Sequence, residues 1–140
     1  MAFAAECRIR ADVTAAFDAA ESAGPYEHVT VIGKSAGTAA MAMIIPDRAG
    51  LAGADLVWLT PAFLVSGMPE GMARCQNRSL LVIGTQDPHF NEVHLQAARE
   101  RGTKVIIMPG LDHGLEKPDD MIGSLEAMAS IIGRLASWVR

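Results

Sequence analysis

Three short segments of the sequence carry side chains whose types and order are typical of nucleophilic catalysis. The segment GKSAG at positions 33–37 matches the pattern GxSxG, in which glycines let the chain turn tightly around a serine, Ser35. Asp87 lies in GTQDP at 84–88, and His113 lies in GLDHG at 110–114. An imidazole can take the proton of a serine hydroxyl, and a carboxylate can orient that imidazole. The residue types therefore predict a nucleophile, an acid and a base in Ser35, Asp87 and His113.

The segments that must position these side chains are predicted strands. The runs HVTVIG (28–33), ADLVWLT (54–60), SLLVIGT (79–85) and TKVIIMPG (103–110) are short, continuous and apolar. Such runs, separated by helices, predict a parallel sheet covered on both faces. We expect one α/β domain over residues 1–140, with a parallel sheet of about four strands flanked by helices. Reactive groups of such a sheet gather at the carboxyl ends of the strands, where all three candidates fall.

Helical periodicity predicts the connecting elements. We expect helices over residues 5–23, 38–45, 91–101 and 119–139, and one short helix at most within 61–78. The last helix is amphipathic, and its large apolar residues are expected to face the core. These are Ile122, Leu125, Met128, Ile132, Leu135 and Val139.

Each candidate also has an ordinary structural explanation. Glycine-rich corners after strands are common, aspartate before proline often forms a turn, and loop histidines often make local hydrogen bonds. The combination favours catalysis, because independent turn residues seldom fall in this order at the ends of separate strands. Asp112 adjoins His113, but adjacent side chains in an extended segment point apart, so Asp87 is the preferred acid. The amide of Ala36, at a helix start, is the expected oxyanion donor.

Two rival kinds of site share some of these residues. A phosphate-binding loop requires GxxxxGK[ST], but the position five residues before Gly33 holds His28 instead of glycine. A metal site could use Asp87, His89 and His94, but histidines five residues apart do not share one helix face, and no further ligand stands out. We therefore expect neither a nucleotide, nor a metal, nor any other cofactor.

Composition narrows the class of protein. The chain has 140 residues, of which 50% are hydrophobic and 20% charged, as in a folded domain. The net charge of -4, with scattered basic residues, argues against nucleic acid as a partner. Cys7 and Cys75 are far apart and are expected to be reduced thiols. No apolar run has the length of a signal peptide core or a membrane span, so we expect a soluble, cytoplasmic protein without a membrane partner.

Taken together, the motifs resemble those of the α/β-hydrolase superfamily, especially its small bacterial members without a cap domain. The resemblance runs from about residue 8 to the end, on GKSAGT (33–38), WLTP (58–61), GTQDP (84–88) and DHGLE (112–116). The chain order Ser, Asp, His is that of the superfamily. The resemblance implies Ser35 as nucleophile, His113 as general base and then acid, Asp87 as orienter of His113, and Ala36 as an oxyanion amide. It implies hydrolysis of a small ester or thioester through an acyl-serine.

The resemblance is incomplete at the front. Family members usually carry several strands before the nucleophile strand, and a loop there supplies a second oxyanion amide. This chain begins at the helix before that strand, so we expect both to be missing and the edge between Val29 and Ile32 to be unpaired. An apolar edge favours a homodimer or a partner chain there. The second candidate function is therefore a non-catalytic or degenerate hydrolase-like domain that serves as an assembly partner.

The sequence does not name a substrate. We expect a small acyl compound, since the connection after the second strand is short. The expected pocket walls are residues 61–72, His89 and Leu115.

Overall fold

A computed structural model describes the backbone of residues 2–139 and the side chains of residues 8–139. The strands are β1 (Thr30–Lys34), β2 (Asp55–Leu59), β3 (Ser79–Gly84) and β4 (Lys104–Met108). The helices are α1 (Ala2–Ala23), α2 (Ala36–Ile44), α3 (Met68–Arg74), α4 (Glu92–Glu100) and α5 (Met121–Trp138). All strand pairs are parallel, in the order β1-β2-β3-β4. The predicted α/β fold, with a four-stranded parallel sheet flanked by helices, is confirmed.

The sheet separates two apolar layers. On one face, α2, α3 and α4 pack on the strands around Trp58 and Leu81, with Phe17 of α1 at the margin. On the other face, α5 is the only described helix, and it packs against Val57 and Leu80. Strands β2 and β3 are buried on both faces, which explains why their sequences are continuously apolar.

One helix cannot cover the whole second face. Ile32 of β1 pairs with Val57 and so shares the α5 face, yet 57% of Ile32 is exposed. A helix is about 10 Å wide, whereas four strands spaced about 4.8 Å apart span more than that. Among the described residues, β1 also has a strand neighbour on one side only, so it is an edge strand.

The orientation of α5 differs from the prediction. Ile122, Leu125, Met128, Ile132 and Val139, expected to face the core, are 36–66% exposed, and Leu135 is half-buried. The buried stripe consists of Gly123, Ala127, Ile131 and Trp138. The prediction was wrong because apolar residues cover more than half of the helix circumference, so hydrophobicity alone allows two orientations. The small residues of the buried stripe let the helix approach the sheet closely.

Arg78 fixes the end of α5 in this orientation. Its guanidinium pairs with Asp55 at 2.7 Å, donates to the Trp138 carbonyl at 2.8 Å and lies 4.0 Å from the centre of the Trp138 ring. A planar guanidinium can make two directed hydrogen bonds and stack on an aromatic ring at once. Arg78 therefore anchors the last turn of α5 at the amino-terminal ends of β2 and β3.

The two adjacent isoleucines of α5 provide a test of this orientation. Ile131 is 2% exposed and Ile132 is 57% exposed. We expect Ile131→Ala to lower the free energy of unfolding by about 2–5 kcal/mol, because it removes buried methyl groups and leaves a cavity. Ile132→Ala should change it by about 0.5 kcal/mol or less. Urea denaturation of both variants measures this, and equal losses would contradict the orientation.

No helix in residues 2–139 is both long enough and apolar enough to cross a membrane. Helix α1 is mostly exposed along its described residues: Ile9 is 38% exposed, and Ala20 is also exposed. Arg48 links α1 to the segment after α2: it donates to Asp18 at 2.5 Å and to Glu21 at 2.8 Å. The Arg48 guanidinium also lies over the Phe17 ring.

Candidate active site

Ser35 lies on a tight turn between β1 and α2. Its φ of 51° is in the left-handed region, which a side chain rarely adopts, so the turn is strained. Gly33 is needed on one side, because a Cβ there would approach the Met41 sulfur and lie 3.0 Å from the Gly37 backbone. The turn therefore holds the serine at the carboxyl end of β1, as the GxSxG pattern predicts.

The structure brings the three candidate residues into one chain of hydrogen bonds. The Ser35 Oγ lies 2.7 Å from His113 Nε2, and His113 Nδ1 lies 2.9 Å from Asp87 Oδ2. The Asp87 side chain is fully buried, whereas the imidazole of His113 is 34% exposed. The arrangement requires a proton on Nδ1 and a lone pair on Nε2, facing the serine hydroxyl. It can take a proton from Ser35 and stabilise the resulting imidazolium.

Both oxygens of the Asp87 carboxylate are in use. Oδ2 faces His113, and Oδ1 accepts the amide N–H of His89 at 2.8 Å. Two bonds to different oxygens fix the carboxylate plane. Asp112, the rejected alternative, accepts the amides of Gly114 and Glu116 in its own loop at 2.8 and 3.0 Å. It shapes the histidine loop.

The carboxyl ends of three strands supply the three side chains, and close backbone contacts join the loops. Ser35 follows β1, Asp87 follows β3 and His113 follows β4. The Gln86 amide donates to the Leu111 carbonyl at 2.9 Å, so the Asp87 loop and the His113 loop are tied to each other. Gly84 lies directly under Leu111, where a Cβ would meet backbone atoms.

Two further residues position the site, and sequence reasoning did not identify either role. Lys34 Nζ donates to the His113 carbonyl at 3.1 Å and so links the ends of β1 and the histidine loop. The buried hydroxyl of Thr38 donates to the Ser35 carbonyl at 2.6 Å and accepts the Ala62 amide at 3.0 Å. The bonds from Lys34 to His113 and from Ala62 to Thr38 join segments distant in sequence, so only the fold reveals them.

Ala36 is the first residue of α2 and is exposed. The amides of the first helical turn have no carbonyl partner within the helix, so they can bind a negative charge. Thr60, at the end of β2, also has a left-handed φ of 45°, and among the described side chains its buried Oγ1 is left without a hydrogen-bond partner. β2 neighbours β1, and the Ser35 amide donates to the Leu59 carbonyl beside Thr60. Backbone strain is therefore concentrated at this end of the sheet.

The predicted pocket walls are only partly right. His89 lies beside the site: its ring centre is 5.1 Å from that of His113, and its Nδ1 accepts the Leu64 amide at 3.1 Å. Leu115, by contrast, is 2% exposed and packs in the core under α5, so its side chain cannot form a wall of an open site. Its positive φ turns the side chain inward.

The structure groups the candidate metal ligands differently from the set considered from the sequence. His94 lies against Phe63, with ring centres 4.9 Å apart. Asp87 and His89 instead cluster with His113.

Cys75 is a free thiol, and burial raises its pKa to about 11. A thiol with a raised pKa is a poor nucleophile near neutral pH. The side chain of Cys7, also predicted to be a reduced thiol, lies outside the described side chains.

No protein-family model matches the chain, and no curated protein matches it either. Any function assigned to the site therefore rests on its own geometry.

Proposed function

We propose that the chain is a serine hydrolase of the α/β-hydrolase type that cleaves a small ester or thioester. The observation that carries the proposal is the continuous hydrogen-bonded chain Ser35–His113–Asp87, with distances of 2.7 and 2.9 Å. A serine, an imidazole and a buried carboxylate in this order form the arrangement that activates a hydroxyl for acyl transfer. The strained turn at Ser35 is a second support.

The reaction follows from the protonation states that this geometry requires. His113 Nε2 takes the proton of the Ser35 hydroxyl while Oγ attacks the acyl carbon. The imidazolium is stabilised by the Asp87 carboxylate, which is withdrawn from water. His113 then gives the proton to the departing alkoxide or thiolate, leaving an acyl-serine. A water molecule, deprotonated by the same nitrogen, releases the acid and restores Ser35.

The Ala36 amide is the proposed donor to the oxygen of the tetrahedral intermediate. One such donor is worth about 10²–10³-fold in kcat. The alternative function, a non-catalytic domain that serves as an assembly partner, gains support from the uncovered edge strand β1.

The free thiol of Cys75 suits a reducing compartment, so we assign the hydrolase to the cytoplasm.

Covalent labelling distinguishes the two functions. A fluorophosphonate phosphonylates a serine only where a base has activated it. We expect intact-protein mass spectrometry to show one adduct on the wild type and none on Ser35→Ala. Ser66→Ala, which changes an exposed serine in the loop after β2, is the matched control and should label like the wild type. A folded wild type that takes no label would favour the assembly role.

We also propose that two copies of the chain pair through β1. The outward N–H and C=O groups of an edge strand form a template for another strand. A two-fold axis through Ile32 would place Lys34 opposite Thr30 of the other copy, so no like charges meet. Beside the strand, Phe17, Tyr26 and Val29 line an apolar groove of about 400 Å³, which an adjoining copy would cover.

Pairing through β1 predicts that one substitution converts the dimer into a monomer. We expect a dimer in sedimentation velocity at micromolar concentration, and a monomer for Ile32→Lys. Because Ile32 is 57% exposed, lysine there should not disturb the fold of one chain. Leu64→Lys, at an exposed leucine outside β1, is the control and should remain dimeric. A monomeric wild type would contradict the pairing.

A further inference from the structure

We propose that Asp87, His89 and His113 together bind a divalent cation of the zinc type, in competition with the hydrogen bonds of the Ser35 site. Each residue offers one ligand atom, and these three atoms all lie within 4.8 Å of one another. Asp87 is buried and both histidines are half-buried, so a bound ion would be partly shielded from water. The cluster is distinct from the set considered from the sequence, because His113 takes the place of His94.

The ligand types fit zinc. Zn²⁺ is bound by imidazole nitrogens and carboxylate oxygens at about 2.0–2.2 Å, and three protein ligands leave one position open. Tetrahedral geometry at those lengths separates neighbouring ligand atoms by about 3.3 Å. His113 Nδ1 and Asp87 Oδ2 already lie 2.9 Å apart. Most of the required movement therefore falls on the ring of His89, which lies in the loop after β3.

Binding through His89 has a structural consequence. A neutral imidazole has one nitrogen lone pair, and in the structure the lone pair on Nδ1 accepts the Leu64 amide at 3.1 Å. If the metal takes Nδ1, that lone pair is used. If the metal takes Nε2, the ring proton moves to Nδ1, which can no longer accept. In either case the Leu64 amide loses its acceptor.

His113 also has a single nitrogen lone pair, so the same reasoning applies to it. If the metal takes Nε2, the lone pair that faces Ser35 is used. If the metal takes Nδ1, the ring proton moves to Nε2, which then has no lone pair to accept the proton of Ser35. Metal binding and activation of Ser35 are therefore mutually exclusive. This consequence rests on the proposed function, whereas the binding itself rests only on the cluster.

The binding test needs no catalytic activity. Tag-free protein is titrated with ZnCl₂ against a chromophoric chelator, comparing the wild type with His89→Gln, His89→Phe and the control His94→Gln. His94 lies against Phe63 and outside the cluster of Asp87, His89 and His113, so its variant should bind like the wild type. His89→Phe keeps a ring beside His113 but has no lone pair. We expect both His89 variants to bind zinc at least about tenfold more weakly.

Three results would overturn the proposal: no zinc binding by the wild type at 100-fold molar excess, equal binding by folded His89 variants, or an unchanged Leu64 amide. The last is read from the backbone amide resonance of Leu64 with and without zinc, which should shift. Fluorophosphonate labelling in the presence and absence of zinc then tests the exclusion. If the wild type binds zinc but never takes label, the hydrolase function fails while the metal site stands.

Discussion

Asp87→Asn is expected to lower kcat/KM for a small ester by about 10⁴-fold while the chain remains folded. The asparagine amide can donate to His113 Nδ1, which moves the ring proton to Nε2. The imidazole would then donate to Ser35 and could no longer take its proton. The loss therefore comes from the wrong tautomer, with the hydrogen-bonded geometry kept, and should appear in kcat.

The control is Asp112→Asn, one residue from His113. Its side-chain oxygen Oδ1 accepts two loop amides, and an asparagine oxygen can accept the same bonds. We expect kcat/KM of this variant to stay within about threefold of the wild type, because no ring proton is involved. Initial rates with a p-nitrophenyl ester measure both. If Asp87→Asn retained more than a tenth of the activity, Asp87 would not be the orienting acid.

Gly84→Ala is expected to lower the free energy of unfolding by about 4 kcal/mol, one of the largest values for a single methyl group. An added Cβ would meet the carbonyl oxygen and carbon of Leu111 and lie 2.8 Å from its Cβ. Backbone atoms cannot rotate away as a side chain can, so β3 or the loop must move. Because Leu111 precedes Asp112 and His113, the same shift should also separate His113 from Ser35.

Gly53→Ala is the matched control, since a Cβ at Gly53 has no neighbour within 4 Å. We expect its free energy of unfolding to lie within about 0.5 kcal/mol of the wild type. Urea denaturation compares the two variants, and fluorophosphonate labelling of the folded fraction reports the position of His113. A stable, fully labelled Gly84→Ala protein would show that the contact with Leu111 yields without cost.

The sequence predicted the central strands β2 and β3 because they are buried on both faces, which leaves an uninterrupted apolar run such as Leu80 to Ile83. It placed Ser35, Asp87 and His113 at one edge because the carboxyl ends of parallel strands share an edge. The structure brings these three side chains together. Their catalytic roles remain a prediction that labelling must test.

The errors have a common origin. Hydrophobicity cannot distinguish Ile132 from Ile131, because the two residues are identical in type. The prediction placed Ile132 in the core, and only the contacts with the sheet show that Ile131 is the buried one. Leu115 was assigned to a pocket wall, whereas its side chain is 2% exposed and packs in the core. Lys34 and Thr38 were not assigned their roles, since each depends on a partner more than 20 residues away.

The strand order has a consequence for heat inactivation. Ser35 follows one edge strand and His113 follows the other, so the short contact between them reaches back across the whole width of the sheet. Any change of sheet twist accumulates over three strand-to-strand steps before it reaches this contact. Within the described residues of one copy, β1 has a single strand neighbour, whereas β2 and β3 are held on both sides and lose their order last. Activity should therefore disappear on warming several degrees before the central strands melt.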